Sequence, residues 1–418
     1  MRNALSLLSF GAVCALGFFS SGPFAQEVTI TNARILDGTG NVIERGAVVV
    51  TDGKIESVAA GQPAASRGRV VDAAGKTVLP GFIESHRHPI GGGAEWLAAE
   101  APARMQEFLD AGFTTMLSAG DDITTALELR SRIADGRIQG PRLIVLGRVP
   151  TARPAAGGGG GAPRIDPARS DRSREPRTQA AAAVPAEETR SAVAAMARAG
   201  VDGLKTNIIV TPGGPEEATL TLIVQEARKH NLPVITHAVT VDDTLAAVRA
   251  GVQSLAHTPH IGQLTDAQVK FIVDAGIPMM STLGVFVPYF DDENRPTFRD
   301  FEPFPWGTLS SGGQGPVNAR LLWEAGIVYG YGTDTRFLPR ESLALELRPL
   351  ALMFSPRDVV RILTRNAAAA VLRDDIGTLE PGKLADIVIV DGDPPETATD
   401  LLNVVTVIKG GEIVADKR

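Results

Sequence analysis

Cysteine is all but absent: of 418 residues only Cys14 is one, and it falls inside an apolar N-terminal run. Beyond that run, disulfides and thiol nucleophiles are excluded, so the fold must be held by its core and by any metal it binds. An excess of basic charge is also missing. Lys and Arg total 41 against 48 Asp and Glu, a net charge of −7, which excludes nucleic acid as the expected partner and mainly favours solubility. No apolar run is long enough to span a bilayer comfortably as a helix. The longest, Ala4 to Phe19, follows Arg2 and precedes small residues up to Ala25, which predicts a secretory signal over residues 1–25 and a periplasmic or secreted mature protein without a membrane segment. An uncleaved anchor is the alternative.

What is present is the composition of a globular chain, 44% hydrophobic and 21% charged, long enough for one large barrel and a smaller module. Short alternating segments with Gly and Asp at their turns, VTITNARIL, AVVVTDGKIESV and VVDAAGKTVLPGF, predict antiparallel strands over residues 26–80. The same texture returns in GTLEPGKLADIVIVDGDP and NVVTVIKGGEIV over residues 374–418. The two ends together predict one small β-sandwich domain.

Between them, over residues 81–373, LPGFIES, FTTML, RLIVLG, VDGLKTNI, PVITH, VQSLAH, IPMMSTL and IVYGYGTD alternate with amphipathic stretches. Eight such units predict a parallel (β/α)₈ TIM barrel. A doubly wound sheet is the competing fold, but no glycine-rich nucleotide turn follows the first strand. Residues 148–187, rich in Gly, Pro, Ala and Arg, predict a long loop after the third strand, either a surface excursion or a lid over the active-site face.

In PGFIESHRHP, His86 and His88 are two residues apart at the end of a strand, so both face one side while Arg87 faces the other. Alone, such a pair is weak evidence for a metal. His237 and His257, however, end two consecutive predicted strands, and Asp334 ends the eighth. Five ligand-type groups converging on one rim predict a metal site in which Asp334 can also accept a proton. Lys205 ends the fourth strand on the same rim. Protonated, it would oppose a divalent ion; desolvated and neutral, it could add carbon dioxide and become a carbamate able to bridge two ions. A lysine in a substrate salt bridge is the other reading.

These motifs, with the tail LTRNAAAAVL and GTLEPGKLADIVIVDGDP, resemble the amidohydrolase superfamily over essentially the whole chain after residue 25. Within it, the chain resembles the branch of imidazolonepropionase-like and prolidase-type dipeptidase enzymes, whose dinuclear members carry a carboxylated lysine on the fourth strand. The resemblance implies two divalent ions, zinc being the expected metal. His86, His88 and Asp334 would hold one, His237 and His257 the other, and a Lys205 carbamate would bridge. It implies hydrolysis of a C–N bond in a small-molecule amide or peptide, with Asp334 and Lys205 as catalytic residues. A mononuclear imidazolone hydrolase or deaminase, and a dipeptidase requiring a free carboxylate, are the alternatives. A homo-oligomer stays open.

His260, in the loop after strand six, and Arg336, just past Asp334, are weaker candidates for substrate contact, and His230 reads as a helix-end cap. The dipeptidase-like relatives anchor a carboxylate with a histidine after strand three and a tyrosine after the strand-five histidine. Here no histidine lies between His88 and His230, and Val239 stands at the tyrosine position. Strict dipeptide recognition is therefore not expected unless arginines of the 148–187 loop substitute. Gly91, Gly92 and Gly93, with Leu283, Val285 and Phe286, predict a roomier and less polar pocket.

Overall fold

The computed structural model describes residues 27–153, 181–286 and 309–418, with two isolated two-residue strands between the last two stretches. The expected signal segment, and all but the ends of the expected 148–187 loop, lie outside the described residues. The chain opens with β1 (Val28–Leu36), β2 (Val42–Thr51), β3 (Lys54–Ala60), β4 (Arg69–Asp72) and β5 (Thr77–Pro80). Next come β6 (Phe82–Arg87), β7 (Phe113–Ser118), β8 (Arg142–Arg148), β9 (Gly203–Asn207), β10 (Val234–His237), β11 (Ser254–Leu255) and β12 (Met279–Met280). After the small pair β13 (Tyr289–Phe290) and β14 (Pro296–Thr297) follow β15 (Tyr329–Gly330), β16 (Ile387–Val390), β17 (Val404–Lys409) and β18 (Glu412–Asp416).

Strands β6 to β12 and β15 form the expected parallel barrel, each hydrogen-bonded to the next in chain order. Beyond β15 the barrel seam is joined by two backbone bonds, Ser85 N–H to Tyr331 O at 3.3 Å and Asp334 N–H to His86 O at 2.8 Å. The expected β module from both chain ends is also present. Its strands pair into one eight-stranded sheet, in which β16 lies antiparallel beside β5. Period-two alternation explains the run IVIV in β16. Ile387 and Ile389 enter the core of the terminal sheet, whereas Val388 and Val390 enter the larger barrel core. All four are fully buried, so the strand joins two cores instead of facing water.

Two departures from regular pairing aim the histidines. The β6–β7 register shifts between Glu84 and Arg87, a local irregularity of the kind that re-aims side chains beside active sites. Arg87 then points away from the barrel axis. Its guanidinium donates to Thr333, Thr335 and Ser342 hydroxyls at 3.1, 2.9 and 2.7 Å and lies 5.3 Å from the Phe108 ring centre. His86 and His88, on either side, face inward.

The strand expected to run to His257 stops at Leu255. Ile235 pairs Ser254 and Thr236 pairs Leu255, so unbroken alternation would put Ala256 opposite His237 and send His257 to the other face. Ending the ladder early resets that phase. Likewise β15 ends at Gly330, and Asp334 adopts a left-handed φ of 51° instead of closing an extended strand. Short, well-capped connections fix the loops that follow. Thr240 and Asp243 form a capping box at the start of the Val241–Ala250 helix, three residues after His237. The Asn318 side chain donates to Pro259 O and Gly262 O and accepts from Leu264 N–H, at 2.9 to 3.0 Å.

Because Ile389 fills the terminal core without a cavity-tolerant neighbour such as methionine, Ile389→Ala is expected to destabilise the protein by about 2–5 kcal/mol. Denaturant unfolding should show a lower midpoint with an unchanged slope.

Candidate metal centre

The rim residues singled out from sequence meet at the C-terminal end of the barrel. His86 Nε2 lies 3.8 Å and His88 Nε2 3.5 Å from Asp334 Oδ1, and ligand atoms of these three residues fall within 4.8 Å of one another. His257 Nε2 is 3.8 Å from Asp334 Oδ2. The His237 and His257 rings are 4.3 Å apart between centres, and those of His86 and His257 4.6 Å. Lys205 Nζ sits 3.3 Å from His86 Nε2. Four imidazoles, one carboxylate and one amine therefore lie in one cluster.

A second set of contacts sets which nitrogen each ring presents. His86 Nδ1 is 2.8 Å from the Ala256 carbonyl oxygen. A carbonyl can only accept, so Nδ1 carries the proton and Nε2 offers its lone pair to the centre. His88 Nδ1 lies 3.2 Å from Asp121 Oδ1, while Asp121 Oδ2 accepts from Ser118 Oγ at 2.6 Å. The carboxylate thus orients the ring. His257 Nδ1 is 2.8 Å from Thr282 Oγ1. Thr282 has a φ of 46°, a conformation that a β-branched residue adopts only when its surroundings impose it. Glu346 supplies that constraint by accepting the Leu283 and Gly284 N–H groups at 2.8 and 2.5 Å.

Burial shifts the inner histidines, Lys205 and Glu84. It holds His86, His237 and His257 well below the usual imidazole range, with the Lys205 charge adding to the effect. The three rings are therefore neutral, the form that binds a metal. Burial also pulls the Lys205 amine down to about 8, partly offset by Asp334 and reinforced by Arg148. Glu84, buried two residues before His86, is pushed up to about 7, with Arg87 opposing. Its oxygens accept from Thr333 N–H and Oγ1 at 2.9 and 2.8 Å and from His86 N–H at 3.1 Å, tying the first strand to the last.

These features fit a divalent cation. His257 Nε2 is buried with no hydrogen-bond partner, a cost that a native site carries when another ligand satisfies the atom. His86 and His88 have their Nδ1 atoms engaged elsewhere, and two histidines with one carboxylate form a common cation-binding set. His237 and His257 add a second pair beside Lys205.

The remaining candidates divide. His260 is buried beside the His237–His257 pair, its ring 3.8 Å from that of Phe286. Gly315 makes room for it, since a Cβ there would lie 2.3 Å from His260 Nδ1. Arg336 is not brought in: its side chain is exposed, and its carbonyl accepts from Arg104 at 3.1 Å. His230 follows the Glu216–Arg228 helix, where its N–H bonds to Ala227 O at 3.0 Å, as a helix end requires. Gly91 does not widen the pocket as expected, because a Cβ there would lie 2.3 Å from the Trp96 ring, which occupies that space. Leu283 is a core residue. Asp121, Thr282, Glu84 and Glu346 were not anticipated. Only Glu84 left a sequence signal, as an acid two residues before His86 and so on the same strand face.

The amidohydrolase family profile matches residues 77–414. An imidazolonepropionase from Salinispora arenicola (strain CNS-205) is 28% identical over 387 residues, 87% of this chain and 90% of that protein. A second, from Sphingopyxis alaskensis (strain DSM 13593 / LMG 18877 / RB2256), is 28% identical over 89% of this chain and 93% of its own length. Among solved structures, a Xaa-Pro dipeptidase with bound methionine aligns with a TM-score of 0.73 at 23% identity, covering 93% of this chain and 99% of that one. The A. niger ochratoxinase aligns at 0.70 and 21%, covering 94% and 96%. At those identities the structural likeness establishes the fold alone, and the profile match over most of the chain decides membership: this protein belongs to the amidohydrolase family.

Proposed function

We propose that this chain is a metal-dependent hydrolase of C–N bonds with two divalent cations, zinc being the ion best suited to nitrogen and oxygen donors. In this reading His86, His88 and Asp334 would hold one cation, His237 and His257 the other, and a Lys205 carbamate would contribute a ligand to both. The observation that carries it is the burial of Lys205 against His86 Nε2 at 3.3 Å. A protonated amine there would repel the cations that the surrounding lone pairs fit. A neutral amine can attack carbon dioxide: the Nζ–C bond forms, one C=O π bond opens onto oxygen, a nitrogen proton leaves to solvent, and the neutral amine becomes an anionic carbamate.

When bound, the cations supply a nucleophilic hydroxide near neutral pH and polarise the scissile carbonyl. The protein's own residues do the rest. Asp334 takes the proton of the attacking water and returns it to the leaving nitrogen. The Ala256 carbonyl and Asp121 hold the His86 and His88 rings in the required tautomers. The apolar N-terminal run supports an exported enzyme.

A single-cation imidazolone hydrolase is favoured by one observation, the match to imidazolonepropionases along most of the chain. That chemistry has no need of Lys205, so metal content separates the readings. Lys205→Ala is expected to lower bound metal from two per chain and to reduce turnover of a chromogenic amide. A short carboxylic acid such as formate in the buffer should restore part of both. Two metals and full activity in that variant would remove the carbamate. Asp121→Asn should weaken metal binding about 10–100-fold in a chelator competition titration, while apo-protein melting stays close to wild type.

A further inference from the structure

Arg148 is the last residue of β8 and pairs directly with Lys205 in the parallel β8–β9 ladder. Directly paired residues of neighbouring strands stand on the same face, so Arg148 is directed toward the interior that receives Lys205. Distances agree. A point at the Cβ position of Gly120 lies 3.3 Å from Arg148 Nε and 3.3 Å from both Cβ and Cγ of Lys205. Gly120, with a φ of +88°, also accepts from Arg148 Nε through its carbonyl at 3.2 Å. Nε is thereby engaged, and among the described residues neither terminal nitrogen has a hydrogen-bond partner. Arg148 is exposed, and among the described residues it has no carboxylate partner. Arg130, Arg142, Arg249 and Arg373, by contrast, each meet an acid at 2.5 to 3.3 Å.

We infer that Arg148 is a specificity-determining residue that receives the free carboxylate of an acidic amide substrate, such as an N-acyl amino acid. A guanidinium held by one nitrogen and open at its fork is suited to bidentate pairing with a planar carboxylate. Beside Lys205 it would hold the charged end of the substrate next to the proposed metal centre. The inference rests on the hydrolase reading above.

The test compares wild type with Arg148→Met and Arg148→Lys on a matched pair, an N-acetyl amino acid and its neutral amide. Metal content is measured in parallel, and so is calorimetric binding of the non-hydrolysed N-methylated analogues of both. For the acid, kcat/KM and affinity should fall about 10–100-fold in Arg148→Met, mainly through KM. Arg148→Lys should recover part of the loss, and the neutral amide and the metal content should not change. Equal losses on both substrates, or loss of metal, would overturn the inference by making Arg148 a partner of Lys205. No change on either would also overturn it. If wild type hydrolyses neither compound yet binds the acid through Arg148, the anchor stands and the hydrolase reading fails.

Discussion

The structure depends on one seam, the junction of the first barrel strand with the last. His86 and Asp334 are far apart in the chain, yet a backbone bond of 2.8 Å joins them directly. Glu84 reinforces the junction by accepting from both sides of it. Burying that carboxylate is costly, as its upward shift to about 7 shows, and three donors offset the cost. Without the seam, His86 and His88 would have no Asp334, and the remaining histidines would face one another.

The second feature of the centre is that its inner groups are oriented from outside. Each of three rings is turned by a partner of a different kind: a backbone carbonyl for His86, a carboxylate for His88 and a hydroxyl for His257. The hydroxyl belongs to a residue in left-handed backbone, held by two N–H bonds to Glu346 from the outer helix layer. Strain at Thr282 is thus sustained by packing remote from the centre. The barrel strands carry the ligands, and the helices around them determine how those ligands point.

Much of this was legible in the sequence because it obeys simple periods. Alternation in PGFIESHRHP places His86 and His88 on one face, and the repeated strand and helix texture gives the barrel. The terminal β module follows from matching segments at the two ends. What alternation could not give is the place where it breaks. His257 was expected inside as a strand end, but regular pairing would have turned it outward, and the early stop of β11 corrects that. Asp121, Thr282 and Glu346 act through contacts between segments distant in sequence, for which no local pattern exists. Gly91 misled because a glycine beside a site reads as open space, whereas here it is the seat of Trp96. Arg148 was visible only as one arginine of a loop-like stretch; its register with Lys205 required the sheet.

The most direct measurement of the central claim is anomalous X-ray diffraction from crystals of protein loaded with zinc in bicarbonate buffer. The account predicts two metal peaks, one among His86, His88 and Asp334 and one at His237 and His257, with electron density for a carboxyl group on Lys205 Nζ between them. A single peak at the first position, with Lys205 ending at its amine, would contradict it.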